Sequence, residues 1–171
     1  MRLVSRPAAA LATAAVLTAA SHVGAQTLHE KLDRDQTITV PTGDPDMAAA
    51  MRKARDTLPE FLSLWRAPRA SMRLFSVKIA IRDNGAAEYF WIGSFVEKDG
   101  HFSGTIDNTP ETVRNVKLGD TITFDQQDIV DWTYLDGKQM KGNFTACVLF
   151  KQAPRQEAEA VIKRYGMSCE L

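Results

Sequence analysis

The chain has little of what most catalytic centres are built from. Three histidines occur in 171 residues. One of them, His22, falls in an N-terminal leader, which leaves His29 in a polar segment and His101 at a strand edge, too few and too scattered for a histidine zinc site. No Gly-x-Ser-x-Gly is present, so the nucleophile elbow of esterases is excluded. No glycine-rich loop follows a strand and opens a helix, which removes the usual cradle for phosphates and dinucleotides. Asp120, Asp125 and Asp128 lack the spacing and the glycine of an EF-hand loop. No metal and no cofactor is expected.

Charge excess of one sign is missing too. The chain has 21 basic and 21 acidic residues. Two of the basic ones, Arg2 and Arg6, lie in the leader, so the remainder is slightly acidic and gives no electrostatic reason to expect nucleic acid or an anionic membrane as partner. The apolar run Ala8–Ala20 falls short of the roughly 20 residues that span a bilayer. With Arg2 and Arg6 before it and Val23-Gly24-Ala25 after it, residues 1–25 read as a secretory signal peptide, cleaved before Gln26. No membrane insertion is expected after cleavage, and the expected location is periplasmic or secreted. Only two cysteines occur, Cys147 and Cys169. In an oxidising compartment they are expected to form a disulfide that staples the last helix to the sheet; a pair of buried thiols is the alternative. Neither sits in a Cys-x-x-Cys or beside a histidine, which argues against a catalytic thiol.

Residues 26–43 form a polar linker with one short β-like run, Thr37–Val40, ended by Pro41. The domain proper is residues 44–171. Asp44 is an N-cap candidate with Pro45 at the first helical position, and Met47, Met51, Ala54, Leu58, Phe61, Leu62 and Trp65 recur at steps of three and four. Pro59 interrupts this stripe, and Thr57–Glu60 has capping-box spacing, so a kink or a restart is expected there. Strands follow. Phe75, Val77, Ile79 and Ile81 alternate with polar positions, Asp83-Asn84-Gly85 turns the chain, and Glu88–Val96 reads as a central strand covered on both faces. On it, Tyr89, Trp91 and Phe95 take one side and Phe90, Ile92 and Val96 the other.

His101–Ile106, Thr121–Phe124 and Ile129–Leu135 continue the sheet, Asp136-Gly137 is a hairpin turn, and Phe144, Ala146, Val148 and Phe150 alternate as a return strand carrying Cys147. Pro154 opens a last helix with Ala158, Val161, Ile162 and Tyr165 on one stripe, ended by Gly166. The expected class is α+β: an antiparallel sheet of about five or six strands with an N-terminal and a C-terminal helix packed on it.

Several patterns taken together carry a resemblance: Asp46-Met47, Ala50, Ala54-Arg55 and Thr57-Leu58 with Phe61; Val77-Lys78; Glu88-x-x-Trp91; Phe102-x-Gly104-x-Ile106-x-Asn108-x-Pro110; Lys117-x-Gly119-Asp120. The densest is Ile129-x-Asp131-Trp132-x-Tyr134-x-Asp136-Gly137-Lys138, followed by Gly142-Asn143-Phe144-Thr145. From about Asp44 to Leu149 the chain resembles the YegJ-like family of uncharacterised bacterial proteins. The resemblance implies a small α+β domain, often exported, and no activity to carry over.

Candidate site residues therefore rest on residue type. Glu88, Asp128 and Asp131 supply carboxylates, Trp91, Trp132 and Tyr134 supply aromatics, and Asn108 lies in a turn. If Glu88 and Asp131 faced each other across neighbouring strands, one pKa would rise and general acid–base work would follow. The competing reading has Asp131 bonding backbone amides or pairing with Lys78 or Lys141 while Trp91 and Trp132 fill the core. Three functions stay open. The first is a binding module that holds an unknown protein or peptide of the cell envelope on an open sheet face or edge near Trp91, Trp132 and Tyr134. The second is a small hydrolase or carbohydrate-active protein with paired carboxylates. The third is an envelope structural or stress protein.

Overall fold

A computed structural model describes residues 43–171. The leader, and the linker with its Thr37–Val40 run, lie outside the described residues apart from Gly43. Helix α1 spans Pro45–Arg66. Its start follows from local chemistry: Asp44 Oδ1 accepts the Met47 amide at 2.9 Å, and Pro45 sits where no backbone donor is needed. Ala50, Ala54, Leu58, Phe61 and Leu62 make its buried stripe.

The break expected at Pro59 does not occur; the helix runs through it. Thr57 Oγ1 donates to the Lys53 carbonyl at 2.7 Å instead of capping a new helix. A mid-helix proline costs about 3 kcal/mol. Burial of Leu58, Phe61 and Leu62 around it contributes roughly 1.5–3 kcal/mol for each side chain, so packing outweighs the lost backbone bond.

Six strands form one antiparallel sheet: β1 (Met72–Asp83), β2 (Ala86–Lys98), β3 (His101–Ile106), β4 (Thr121–Phe124), β5 (Ile129–Asp136) and β6 (Gln139–Gly142). Their order across the sheet is β4-β3-β2-β1-β5-β6. Helix α1 covers one face, where Val77, Ile79, Phe90, Ile92, Phe102 and Ile106 meet its apolar stripe. Rings dominate that layer: Phe61 stacks on Trp132 at 5.0 Å, Trp65 on Phe95 at 4.5 Å, and Phe75 on Tyr134 at 5.1 Å.

Among the described residues no helix covers the other face over β2, β3 and β4, where Tyr89 and Val96 are exposed, which corrects the expectation that β2 is covered on both sides. A bulge explains the difference in side-chain direction. Ser94 has φ 45°, and the β2–β3 register slips between Gly93 and Val96. Phe95 thus joins Phe90 and Ile92 in the core, and Val96 turns outward at 57% exposure, the reverse of the simple alternation.

The return strand expected over Phe144–Phe150 is a helix. Strand β6 stops at Gly142, and α2 occupies Phe144–Gln152. Gly142 and Asn143 both have positive φ (73° and 59°), which reverses the chain within two residues. A side chain at Gly142 would collide with the Trp132 backbone and indole, so this turn needs glycine for space as well. Thr145 and Val148, one helical turn apart, are buried, as is Phe150.

Helix α3 (Arg155–Tyr165) packs Ala158 and Val161 against Phe150 of α2 and ends in the left-handed Gly166. The Gly166 carbonyl accepts the Met140 amide at 3.1 Å, placing this helix end against β6. Cys147 and Cys169 are joined, with Cα atoms 5.3 Å apart. Because Cys147 lies on α2, the bond ties the tail after α3 to that helix and not to a strand. No helix among the described residues is long and apolar enough to cross a membrane.

Pro59 is exposed, so its replacement removes no packing. Pro59→Ala restores one helical donor and is expected to raise stability by about 1–3 kcal/mol, read as a higher urea midpoint at unchanged m. A lower midpoint contradicts this account of the helix.

Candidate functional site

The residues picked out by type fall into several separate places. Asp131 is fully buried on β5 and opposite Lys78 of β1. Its Oδ2 accepts the Thr145 amide at 2.8 Å and the Thr145 hydroxyl at 2.7 Å. Its Oδ1 accepts the Trp132 amide at 2.8 Å and the Phe144 amide at 3.2 Å. Phe144 and Thr145 open α2, so a carboxylate from a strand caps the helix, where amides point outward and the dipole favours negative charge.

Lys78 completes the cluster. Its Nζ donates to Thr145 Oγ1 at 2.9 Å and lies 4.7 Å from the centre of the Trp91 ring. The result is a relay, Lys78 to Thr145 to Asp131, with Trp91 on its outer side. Burial holds the Asp131 carboxyl above the usual aspartate range, against the pull of Lys78, Thr145 and the Trp132 amide. Burial likewise lowers Lys78, and the Asp131 charge opposes that shift. Thr145 is 2% exposed, so its hydroxyl is closed to a substrate and the relay positions α2.

Glu88 stands elsewhere. It pairs with Ile81 on β1, three residues along from Lys78, which puts it on the α1 face while Asp131 and Lys78 are on the opposite one. The condition for an acid–base pair between Glu88 and Asp131 is therefore not met. Glu88 is 4% exposed and accepts the successive amides of Glu111, Thr112 and Val113 at 2.9 to 3.2 Å. A buried carboxylate thus gathers the β3–β4 connection, whose Val113 enters the core.

The remaining candidates are also structural. Asn108 Oδ1 accepts the Trp91 amide at 2.9 Å and extends the β2–β3 pairing past the end of β3. Asp128 Oδ2 accepts the Asp125 amide at 2.8 Å around the short 3-10 turn Gln126–Asp128. Trp132 donates its Nε1 proton to the Ala54 carbonyl at 3.0 Å, and Tyr134 lies in the core beside Phe75. Among the described residues no group of three or more His, Cys, Asp or Glu side chains is placed to hold a metal.

What sequence reasoning missed is the set of hydroxyls on the uncovered face. The register puts Thr105 opposite Thr121 and Ser103 opposite Thr123, giving four hydroxyls in two rows, all partly or fully exposed. Val96 of β2 lies beside Ser103, and further along β2, past the end of β3, the half-buried Trp91 and Tyr89, 40% exposed, share this face. Gly93 faces Thr105, and a side chain there would run into the Asp107 carboxylate, which therefore lies over the gap on this same face. The i, i+2 alternation of Ser103 and Thr105, and of Thr121 and Thr123, is the signal that could have found it.

A six-stranded antiparallel sheet, one face under a long helix and the other partly open, with two buried acids organising helix and loop, defines a compact α+β domain. This chain belongs to a family of uncharacterized proteins conserved in bacteria, DUF2314, whose model matches residues 44–169. It is similar to the uncharacterized protein YegJ of Escherichia coli (strain K12), with 33% identity over 124 residues, covering 71% of this chain and 80% of the relative. No solved structure matches it.

Two outcomes check the Asp131 cluster. Asp131→Asn leaves Lys78 buried without its countercharge and turns an acceptor into a donor facing Thr145; a loss of about 3–5 kcal/mol is expected by chemical denaturation. For pH, a carboxyl raised in the folded state binds its proton more tightly there than in the unfolded chain. Its stabilisation is complete below the unfolded value of about 3.9 and is lost as pH rises through the folded value. Lys78→Met removes the opposing ammonium and raises the Asp131 carboxyl further, so the loss of stability with rising pH should continue to higher pH than in the wild type. Loss that ends at the same pH in both proteins, read from urea titrations, contradicts the coupling.

Proposed function

We propose that this protein is an exported binding module of the bacterial cell envelope that holds its ligand on the open face of the sheet, over β2, β3 and β4. The observation that carries the reading is the composition of that face: register-matched hydroxyls of β3 and β4 lie alongside Gly93 and Val96, the latter 57% exposed, Tyr89 at 40% exposure stands four residues further along β2, and no helix among the described residues is laid over them. Exposed large apolar side chains on a sheet face of a small domain are a common mark of an interaction surface. The acids first considered for the site, Glu88, Asp128 and Asp131, bond the backbone of loop, turn and helix, so ligand contact falls to the rings and hydroxyls. For location, residues 1–25 have the composition of a signal peptide, and the Cys147–Cys169 bond is suited to an oxidising compartment.

The test is affinity capture of the tagged protein from an envelope fraction that contains both envelope proteins and cell-wall polymer. Wild type is compared with Tyr89→Glu and Val96→Glu, two exposed positions whose variants should keep the wild-type melting temperature. Material retained by wild type and lost by both variants is the expected result. Equal retention by all three, or none by any, rejects the open face as the binding surface.

A further inference from the structure

The chemistry of the open face selects among ligand classes. Across β2–β4 it presents rings and hydroxyls, and charge is confined to a few places. Asp107 lies over Gly93, His101 is held at one end by Asp125 at 2.6 Å with the exposed Lys98 opposite it, and Arg82 stands at the other end beside Ala87. Lys78, the cation nearest the rings, is already engaged by Thr145 and by the Trp91 ring. A nucleic acid needs available cations along its phosphates, and this surface lacks a row of them. A peptide recognised by strand addition needs an open backbone edge, which among the described strands of this face only β4 has; such a peptide would lie beside the face and leave its rings and hydroxyls unused.

Hydroxyls serve as both donors and acceptors, and a carboxylate accepts from hydroxyl donors. An exposed ring offers an apolar plate with a polar rim. A pyranose matches this set, with C–H bonds on its flat faces and hydroxyls around its edge. Neighbouring strands are about 4.8 Å apart, so the rows Thr121–Thr105 and Thr123–Ser103 make a flat grid rather than a pocket. A flat grid suits an extended chain better than a single sugar.

We propose that the ligand of this face is a neutral polysaccharide chain of equatorially linked pyranoses. One ring stacks on Tyr89 beside Trp91, and the sugar hydroxyls bond Thr105, Thr121, Thr123 and Asp107. This inference rests on the binding-module reading above and names the ligand class of the same surface. It involves binding only, with no bond made or broken.

The experiment titrates the full chain with cellohexaose and with chitohexaose, following heat and tryptophan fluorescence, and uses β-casein as an unfolded polypeptide probe. Tyr89→Ala removes the ring, and the double variant Thr105→Val, Thr121→Val removes two hydroxyls at constant shape; melting curves confirm that both fold. Saturable binding of at least one hexasaccharide is expected, weakened roughly tenfold or more in each variant. No binding of either sugar, or binding that both variants leave unchanged, overturns the proposal. So does binding of β-casein in place of the sugars. If the sugars fail while envelope capture still depends on Tyr89 and Val96, the glycan assignment falls and the open face stands. If capture also fails, the binding-module reading falls with it.

Discussion

The buried carboxylate of Asp131 is the contact on which the C-terminal half of the domain depends. It receives the first amides of α2, the Thr145 hydroxyl and the amide of its own neighbour, while Lys78 balances its charge through Thr145. Strand β5, strand β1 and helix α2 are thereby fixed to one point. Helix α2 in turn carries the disulfide and the face against which α3 packs. The ion cluster offers limited net stability, because removing two charges from water offsets most of what their attraction returns. Its effect is geometric: only one placement of α2 satisfies every donor around the carboxylate.

Glu88 applies the same device on the other face. Three successive amides converge on one buried carboxylate and hold a connection that has no helix or strand of its own. Both acids are costly to bury and both are matched by backbone donors, an arrangement that keeps a loop and a short helix in place where apolar packing alone would let them slide.

How far the fold could be read from the chain depended on how local its causes are. Helices α1 and α3 announce themselves through a cap, a stripe and a terminal glycine, and the Asp136-Gly137 turn fixes the β5–β6 hairpin. Helix α2 was misread because its cause is remote. Phe144, Ala146, Val148 and Phe150 alternate like a strand, and the group that makes the segment helical is a carboxylate 13 or 14 residues earlier. The bulge at Ser94 is silent for a similar reason, since serine has no special claim to a left-handed conformation and the neighbouring register imposes it. The site was partly legible. Residue type pointed to Asp131 as a carboxylate bonding backbone amides beside Lys78, which the structure bears out, but gave no sign that Glu88 gathers the amides of Glu111, Thr112 and Val113. The hydroxyls of β3 and β4 look like ordinary solvent positions until the register sets them side by side.

The two borders of the sheet are not equivalent. At β6 the Met140 amide is already used by the carbonyl of Gly166, and the helix end lies close enough that a side chain at Gly166 would strike the Lys138 carbonyl. At β4 the outer backbone of Thr121–Phe124 is bordered by no further strand among the described residues. Growth by edge addition is thus one-sided. Among the described strands, then, only the β4 border keeps a run of backbone groups open to a further strand, and the β6 border is closed by the end of α3.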